Sequence, residues 1–263
     1  MSETVTDLMD PARATALAVT LGHAWEEGQP LPPFFHHAYF WTVHPEAGLG
    51  RDGHPKLGGQ NLIPDLWLPR RMWGGGRLEF HAPLYAGRPA ERQSVMESID
   101  EKEGRSGRLG LVTLRHEIRQ DGQLCVTEWQ DLIYREDYKP GAPAPEPVPS
   151  PDSAEEIRSR DFYSLTLMRY SALTMNGHRI HYDPDYAREV EGYPGVVVHG
   201  PLLAQLLMLM APGPLKTFRY RAIAPLCLPA SARICRLGNR FWVSGPGGGM
   251  CMEAEADYAS SRA

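Results

Sequence analysis

An asparagine and a histidine, Asn176 and His181, lie five positions apart in the segment Tyr170–Asp183 (YSALTMNGHRIHYD). A histidine with an ordinary pKa of about 6.5 exchanges protons near pH 7, so His181 is a candidate general acid or base. An asparagine side chain can orient a water molecule but cannot take its proton. The structural alternatives are a buried histidine bonded to a carbonyl and an asparagine that serves a left-handed turn. We favour the catalytic interpretation because both residues belong to one polar turn between apolar segments.

A second candidate site, His199-Gly200-Pro201, begins the most apolar stretch of the chain, which ends at Ala211. Proline suits the first turn of a helix, where its missing N–H costs nothing. The free N–H groups there, aided by the helix dipole, form a site for a negatively charged oxygen. The Gly200 amide is therefore a candidate to stabilise an enolate. The alternative is that Gly-Pro only starts the helix and that His199 is a turn residue.

The loop Pro69–Gly76 (PRRMWGGG) contains the candidate substrate-binding residues Arg70, Arg71 and Trp73. Arginine binds carboxylate and phosphate groups in two-pronged geometry. A solvated loop with a buried tryptophan explains the same residues equally well. Arg179 and His199, beside the candidate catalytic residues, complete the predicted substrate contacts.

The composition is that of an ordinary globular protein, with 42% hydrophobic and 22% charged residues. A net charge of −5 argues against nucleic acid as the main partner. The four cysteines show no metal or disulfide pattern, so we expect a reducing, cytoplasmic setting. The histidines lack metal-ligand spacing, and we expect neither a metal nor a cofactor. No apolar run reaches the roughly 18–20 residues of a membrane span, and the acidic N-terminus is unlike a signal peptide.

The first half of the chain predicts a helix after Asp10-Pro11 and a strand over His36–Val43. A long irregular section follows over Pro45–Gly76. An antiparallel sheet comes next, with Asp121-Gly122 as a hairpin turn. The predicted strands are Arg77–Leu84, Ser94–Lys102, Leu109–Arg119 and Gln123–Tyr134.

A segment with six prolines, residues 139–152, predicts an extended linker. It divides the chain into residues 1–138, a degenerate domain that holds substrate, and residues 153–263, the catalytic domain. The second part predicts a strand over Phe162–Leu173, a short helix capped by Asp183 and an apolar helix over Pro201–Ala211. The strands Leu215–Ala224, Ala232–Leu237, Arg240–Val243 and Cys251–Tyr258 follow. One apolar helix with a curved antiparallel sheet around it is the outline of a hot-dog fold. We therefore predict an α+β double hot dog: two curved antiparallel sheets, with the central helix intact only in the C-terminal half.

The segment Leu173–His181 resembles the hydratase motif of MaoC-like, R-specific enoyl-CoA hydratases, whose pattern is small-Gly-Asp-x-Asn-Pro-apolar-His. His181 corresponds to the catalytic histidine and Asn176 to the catalytic aspartate, while His178 and Arg179 correspond to the Asn-Pro pair. The segments RYSALTMNGHRIHYD and EGYPGVVVHGPLLAQLL look closer to the hydratases of mesaconyl-C4-CoA and itaconyl-CoA. Mitochondrial 3-hydroxyacyl-thioester dehydratases are similar. The resemblance covers most of the chain, from about residue 40 to about residue 228.

The resemblance implies a hydro-lyase that adds water across an enoyl-CoA double bond and works without a cofactor. In it, the Gly200 amide would polarise the thioester. A (3R)-hydroxyacyl-thioester dehydratase, a hot-dog thioesterase and a non-catalytic acyl-thioester binding protein remain alternatives. A thioesterase would need a carboxylate near position 176, where this chain has asparagine. We expect an acyl-CoA partner, no nucleic acid or membrane partner, and a homodimer or larger homo-oligomer.

Overall fold

A single antiparallel sheet runs through the computed structural model, which describes residues 2–59, 61–104, 107–141 and 145–259. Its strands, in chain order, are β1 (Ser2–Asp7), β2 (Arg70–Phe80), β3 (Ala90–Gly104), β4 (Gly107–Gln120), β5 (Gln123–Arg135), β6 (Glu156–Phe162), β7 (Leu215–Ala222), β8 (Ala230–Leu237), β9 (Arg240–Ser244) and β10 (Met250–Tyr258).

The strand order shows a duplicated unit. Within the described chain the order is β1-β3-β4-β5-β2-β7-β10-β9-β8-β6. The first five strands and the last five follow the same plan, read outward from the β2–β7 pair. The double hot-dog prediction is confirmed, and the two predicted sheets join edge to edge: residues 75–79 of β2 pair with residues 217–221 of β7.

The described residues form three α-helices: α1 (Pro11–Leu21), α2 (Ser164–Thr174) and α3 (Gly200–Met208). Helix α3 packs against the sheet, and α1 packs against α2. In α3 every residue from Pro201 to Met208 is buried, as expected for a helix that a sheet surrounds. The described part of the first half has only 3₁₀ turns between α1 and β2, over Phe35–Ala38 and Glu46–Gly48. The intact helix therefore belongs to the C-terminal half, as predicted. Other short helical turns are Arg179–His181, Pro246–Gly248 and a π-turn over Tyr186–Val190.

Two predicted strands are wrong. Residues 36–43 form part of a 3₁₀ turn and an irregular segment, because Phe34 and Phe40 have positive φ angles of 70° and 58° that interrupt an extended chain. The segment Phe162–Leu173 ends a strand at its first residue and continues as α2. Buried Leu167 and Tyr170 are three positions apart in α2, a helical spacing that a short apolar run does not distinguish from a strand.

The proline-rich segment lies between β5 and β6, where the predicted linker was placed. Its last residues are held by the loop before β10: Ser150 N–H donates to Gly248 at 2.9 Å and Met250 N–H to Val148 at 2.7 Å. The division into two domains at this segment stays a prediction, since the two halves share one sheet.

Candidate active site

His181 lies at the end of the 3₁₀ turn that follows α2. Its Nδ1 is 2.7 Å from the carbonyl oxygen of Val197, and Val197 N–H in turn donates to Ile180 at 2.8 Å. A carbonyl oxygen only accepts, so Nδ1 carries the proton and Nε2 presents a lone pair. Burial lowers the pKa of His181 to about 4, against the opposing effect of the Val197 carbonyl. The imidazole is therefore neutral at pH 7 and its Nε2 is a base.

Asn176 begins the turn that carries His181. Helix α2 ends at Met175, whose left-handed φ of 50° redirects the chain. The Asn176 Oδ1 accepts a hydrogen bond from His178 N–H at 3.0 Å, which fixes the side chain. Its amide N–H₂ has no acceptor among the described residues. This amide can therefore orient a water molecule or a substrate oxygen.

Gly200 is the first residue of α3. Within the described part of the chain, its N–H has no hydrogen-bond acceptor, as is usual at the start of a helix. A Cβ at this position would meet Trp73 at 3.9 Å, an ordinary contact. The amide is therefore a free donor at the positive end of the helix dipole, and a side chain at this position would be tolerated.

One cavity of about 660 Å³ brings the three predicted catalytic residues together. Asn176, His181 and Gly200 all lie in its wall, with Arg71 and Trp73 of β2. The Trp73 indole N–H donates to the Tyr220 hydroxyl at 2.9 Å across the β2–β7 seam, which fixes the ring. Arg71 also borders a second hollow of about 450 Å³ and donates to the Tyr134 hydroxyl at 3.3 Å.

Three predicted substrate contacts do not line this cavity. Arg70 forms a buried ion pair with Glu191 at 2.6 Å, so its charge is already neutralised. Arg179 pairs with Asp183 at 2.6 Å and holds the catalytic turn to the helical segment after it. Arg70 and Arg179 therefore lie outside the cavity wall with their charges paired, and their part in substrate binding stays a prediction.

The third, His199, lies fully buried behind His181. Its ring stacks on that of His181, with centroids 3.6 Å apart and planes 20° from parallel. Its Nε2 is 2.8 Å from the Ser171 hydroxyl. Burial, then His181 and His178, place the pKa of His199 well below its usual value. His199 packs against His181 and is not part of the cavity wall, so its contact with substrate stays a prediction.

The sequence interpretation missed several polar residues of the cavity wall, among them His54. Its ring centroid is 4.8 Å from that of His178, which the motif resemblance had placed in the turn before His181. The His178 Nε2 is buried without a partner in the described structure. Other missed residues of the cavity wall lie on the N-terminal half of the sheet. One pattern in the sequence could have revealed them: the alternating run Val112, Leu114, His116, Ile118 places a polar residue on an apolar face. The N-terminal group is Arg92, Ser94, His116 and Gln130.

One group of described residues has a donor set suited to a metal: His36, His37 and Glu128. These atoms already satisfy each other, because His36 Nε2 is 2.8 Å and His37 Nε2 is 2.9 Å from the Glu128 carboxylate. Burial raises the pKa of Glu128, but the two histidines lower it further, to well below its usual value. The two histidines therefore already hydrogen-bond an anion, the Glu128 carboxylate. No described helix is long and apolar enough to span a membrane.

A double hot-dog fold with a neutral histidine and a helix N-terminus in the wall of one cavity is the arrangement expected of a hydratase or dehydratase of the MaoC-like class. Residues 34–228 match the model of the family hydroxyacyl-thioester dehydratase type 2, and the chain belongs to that family. It is 42% identical to the mesaconyl-C(4)-CoA hydratase of Chloroflexus aurantiacus, over 97% of this chain and 95% of that protein. It is 25% identical to the mitochondrial hydroxyacyl-thioester dehydratase type 2 of Schizosaccharomyces pombe, over 81% and 80% of the two chains.

Solved structures show the same fold. HtdX from Mycobacterium tuberculosis superposes with a TM-score of 0.71 at 17% identity, covering 97% of this chain and 99% of that one. A second protein of that organism, described as a double hot dog, superposes with a TM-score of 0.62 at 13% identity, covering 97% and 94%.

Proposed function

We propose that this protein is a hydro-lyase that adds water to the double bond of an enoyl-CoA thioester, with mesaconyl-C4-CoA as its substrate. The observation that carries this proposal is the meeting of the His181 imidazole and the free Gly200 amide in one cavity wall. The choice of substrate rests on the 42% identity to a mesaconyl-C(4)-CoA hydratase over nearly the whole chain.

The geometry supports a direct mechanism. Nε2 of His181 takes a proton from a water molecule that Asn176 orients, and the water oxygen bonds to the β carbon of the enoyl group. The electron pair of the double bond moves toward the thioester, whose oxygen becomes an enolate. The Gly200 N–H donates to that oxygen, where negative charge develops. The imidazolium then returns the proton to the α carbon, which leaves a β-hydroxy thioester and a neutral histidine.

The second hollow offers a place for the coenzyme. It joins the main cavity at Arg71 and is also lined by Lys56, whose ammonium donates to the Ala47 carbonyl at 2.9 Å. Two cations at a cavity mouth suit the phosphates of CoA. Arg51, in the same wall, is paired with Asp137.

A dehydratase acting on a straight-chain 3-hydroxyacyl thioester is the second candidate, and the family match supports it. Its chemistry is the reverse of the same steps with the same residues. A thioesterase is less well supported, because position 176 carries an amide where that activity needs a carboxylate.

The deciding experiment is a panel of enoyl-CoA thioesters, followed by loss of the conjugated enoyl-thioester absorbance. We expect the highest kcat/KM with mesaconyl-C4-CoA, and a loss of at least about 100-fold in His181→Asn. A thiol reagent detects release of free CoA. Release of CoA from the panel, or full activity of His181→Asn, would overturn the proposal.

Two further parts of the proposal concern the setting of the protein. We propose a homodimer or larger assembly, which sedimentation velocity tests, because β6 and α2 expose the apolar side chains Ile157, Leu165 and Met168. A cytoplasmic location is supported by the four cysteines, which are all free thiols.

A further inference from the structure

The inner face of the N-terminal half of the sheet contains a row of polar side chains. Ser94, His116 and Glu128 lie directly opposite one another across β3, β4 and β5. Their neighbours along β4 on the same face are the buried Leu114 and Ile118. Polar groups on a buried face destabilise the fold unless each finds a partner, so the partners of this row decide its role.

Most polar groups of the row have hydrogen-bond partners within the protein. The Glu128 carboxylate accepts from His36 at 2.8 Å, from His37 at 2.9 Å and from the Gln130 amide at 3.0 Å. The Ser94 hydroxyl is 2.7 Å from Nδ1 of His116. These contacts explain the buried glutamate without any ligand.

Two groups on this face lack a hydrogen bond or ion pair with a described residue, and both residues line the cavity: Nε2 of His116, and Arg92, two positions before Ser94 on β3. Arg92 forms no ion pair or hydrogen bond with a described residue, and its Nε is buried; its guanidinium lies 5.7 Å from the Phe40 ring centroid. The Nε2 of His116 is also buried and unpaired, and the residue is 5% exposed. The nearest acids to Arg92 are Glu3 and Glu128, which raise its pKa against the larger lowering effect of burial.

The Ser94 hydroxyl can fix the tautomer of His116. Burial lowers the pKa of His116 to about 4, so the ring is neutral and has one N–H. When the Ser94 hydroxyl donates to Nδ1, the ring proton is on Nε2, and His116 is a hydrogen-bond donor in the cavity wall. Arg92 and His116 then present a cation and a neutral donor to the same space, a combination that suits a carboxylate.

We infer that Arg92 and His116 bind the free carboxylate of the substrate's acyl group and thereby select dicarboxylic over monocarboxylic enoyl thioesters. This rests on the proposed function and identifies the residues that read its substrate. In mesaconyl-C4-CoA the β carbon carries a methyl group and the free carboxylate. A site that holds this carboxylate therefore also orients the carbon that water attacks.

The test compares two substrates that differ in one group. In 3-methylcrotonyl-CoA a methyl group replaces the carboxylate of mesaconyl-C4-CoA. The quantity measured is the ratio of kcat/KM for the two thioesters, determined on one preparation of full-length enzyme. Because the active fraction cancels in this ratio, partial misfolding of a variant does not obscure the result.

We expect Arg92→Met to lower the ratio about 100-fold, since it removes one partner of a desolvated charge pair. Arg92→Lys keeps the charge and should lower it less. Arg88→Met is the matched control, because Arg88 is more than half exposed outside the cavity wall. Arg71→Met tests the other arginine of the cavity wall.

The outcomes separate the two claims. A wild-type enzyme that is active on mesaconyl-C4-CoA, with an unchanged ratio in Arg92→Met, overturns the inference and leaves the proposed function standing. So does a ratio that collapses in Arg71→Met and not in Arg92→Met. A wild-type enzyme that hydrates only monocarboxylic thioesters overturns both.

Discussion

The imidazole of His181 lies flat against that of His199, with ring centroids 3.6 Å apart. Two stacked imidazolium ions would repel each other strongly in this buried space, so protonation of either ring disfavours protonation of the other. This repulsion acts on the neighbours: His181 helps to lower the pKa of His199 and of His178, whose ring centroid is 5.5 Å from that of His181. The pKa of His181 itself is lowered by burial, which keeps it a neutral base.

The pH dependence of the reaction follows from this neutral state. The base form of His181 is present above its pKa of about 4 and is lost as the pH falls through that value. We expect kcat/KM to stay level from pH 7 to about pH 5 and to fall below it, approaching tenfold per pH unit. Initial rates after pH jumps from a neutral stock measure this limb. A limb centred near pH 6.5 would contradict the neutral, desolvated histidine.

Replacement of Asn176 by aspartate should shift the acid limb of the pH profile of kcat/KM to higher pH. The variant keeps the oxygen that accepts from His178 N–H, so the turn is retained. A carboxylate beside His181 favours the imidazolium and raises the histidine pKa. We expect Asn176→Asp to remain active with its acid limb shifted upward by about one pH unit, and Asn176→Ala to lose most activity. The pH profiles of both variants provide the test, and an unshifted limb in the aspartate variant would show that the two side chains do not interact.

A Gly200→Pro substitution removes the amide hydrogen at position 200. Position 200 is the first of α3, where proline fits, and the residue before it has φ −58° and ψ 128°, which suits a pre-proline residue. We expect Gly200→Pro to fold and to lose about 10²- to 10³-fold in kcat.

Gly200→Ala is the control, because it retains the N–H and its Cβ meets only an ordinary contact at Trp73. Its loss should be much smaller. Equal losses in the two variants, with unchanged melting temperatures, would show that the effect is steric.

Acid should destabilise the protein at pH values well above the pKa values of its carboxylates. Burial lowers the folded-state pKa of several histidines, so the unfolded chain binds more protons as the pH falls below about 6.5. The free energy of unfolding should then decrease by about 1.4 kcal/mol per pH unit for each histidine that stays neutral in the folded state. Denaturant unfolding between pH 7.5 and 5 measures the slope, and a flat profile would contradict it. The histidines concerned are His36, His54, His116, His178, His181 and His199.

Arg70 should matter for stability and not for substrate recognition. Its partner Glu191 is 2% exposed, and Arg70→Met would leave that carboxylate buried without its cation. We expect a loss of about 3–5 kcal/mol in unfolding free energy, partly restored when Glu191→Gln is added. Chemical denaturation of the single and double variants measures both effects. A stable Arg70→Met variant with a raised KM would show instead that Arg70 binds the substrate.

Local chemistry made much of the site predictable. The helix start at Gly200 follows from Gly-Pro before an apolar run, and the turn at Asn176 follows from Asn-Gly after an apolar segment. Both signals are contained within a few residues. The same is true of Asp10, whose carboxylate caps α1 by accepting from Ala12 N–H at 2.9 Å.

The remainder depended on contacts between distant segments. Arg70 was predicted in a loop, whereas it is the first residue of β2, and nothing near it in the sequence indicates its ion-pair partner Glu191. His199 was placed among substrate contacts, whereas stacking on His181 is decided by how α3 packs. Arg92 and His116 belong to different strands of a half that was expected only to hold the acyl group.

The order of the strands also constrains the segment between β5 and β6. Six strand-to-strand steps separate β5 from β6 across the sheet, or roughly 29 Å at about 4.8 Å per step. A polyproline conformation spans about 3.1 Å per residue, so about ten residues are the minimum for this crossing. A connection much shorter than that could not reach the present position of β6, beside β8 at the far edge of the sheet. The spacing between the halves is therefore a topological requirement, and its shortening would be expected to rearrange the molecule before it affected the chemistry.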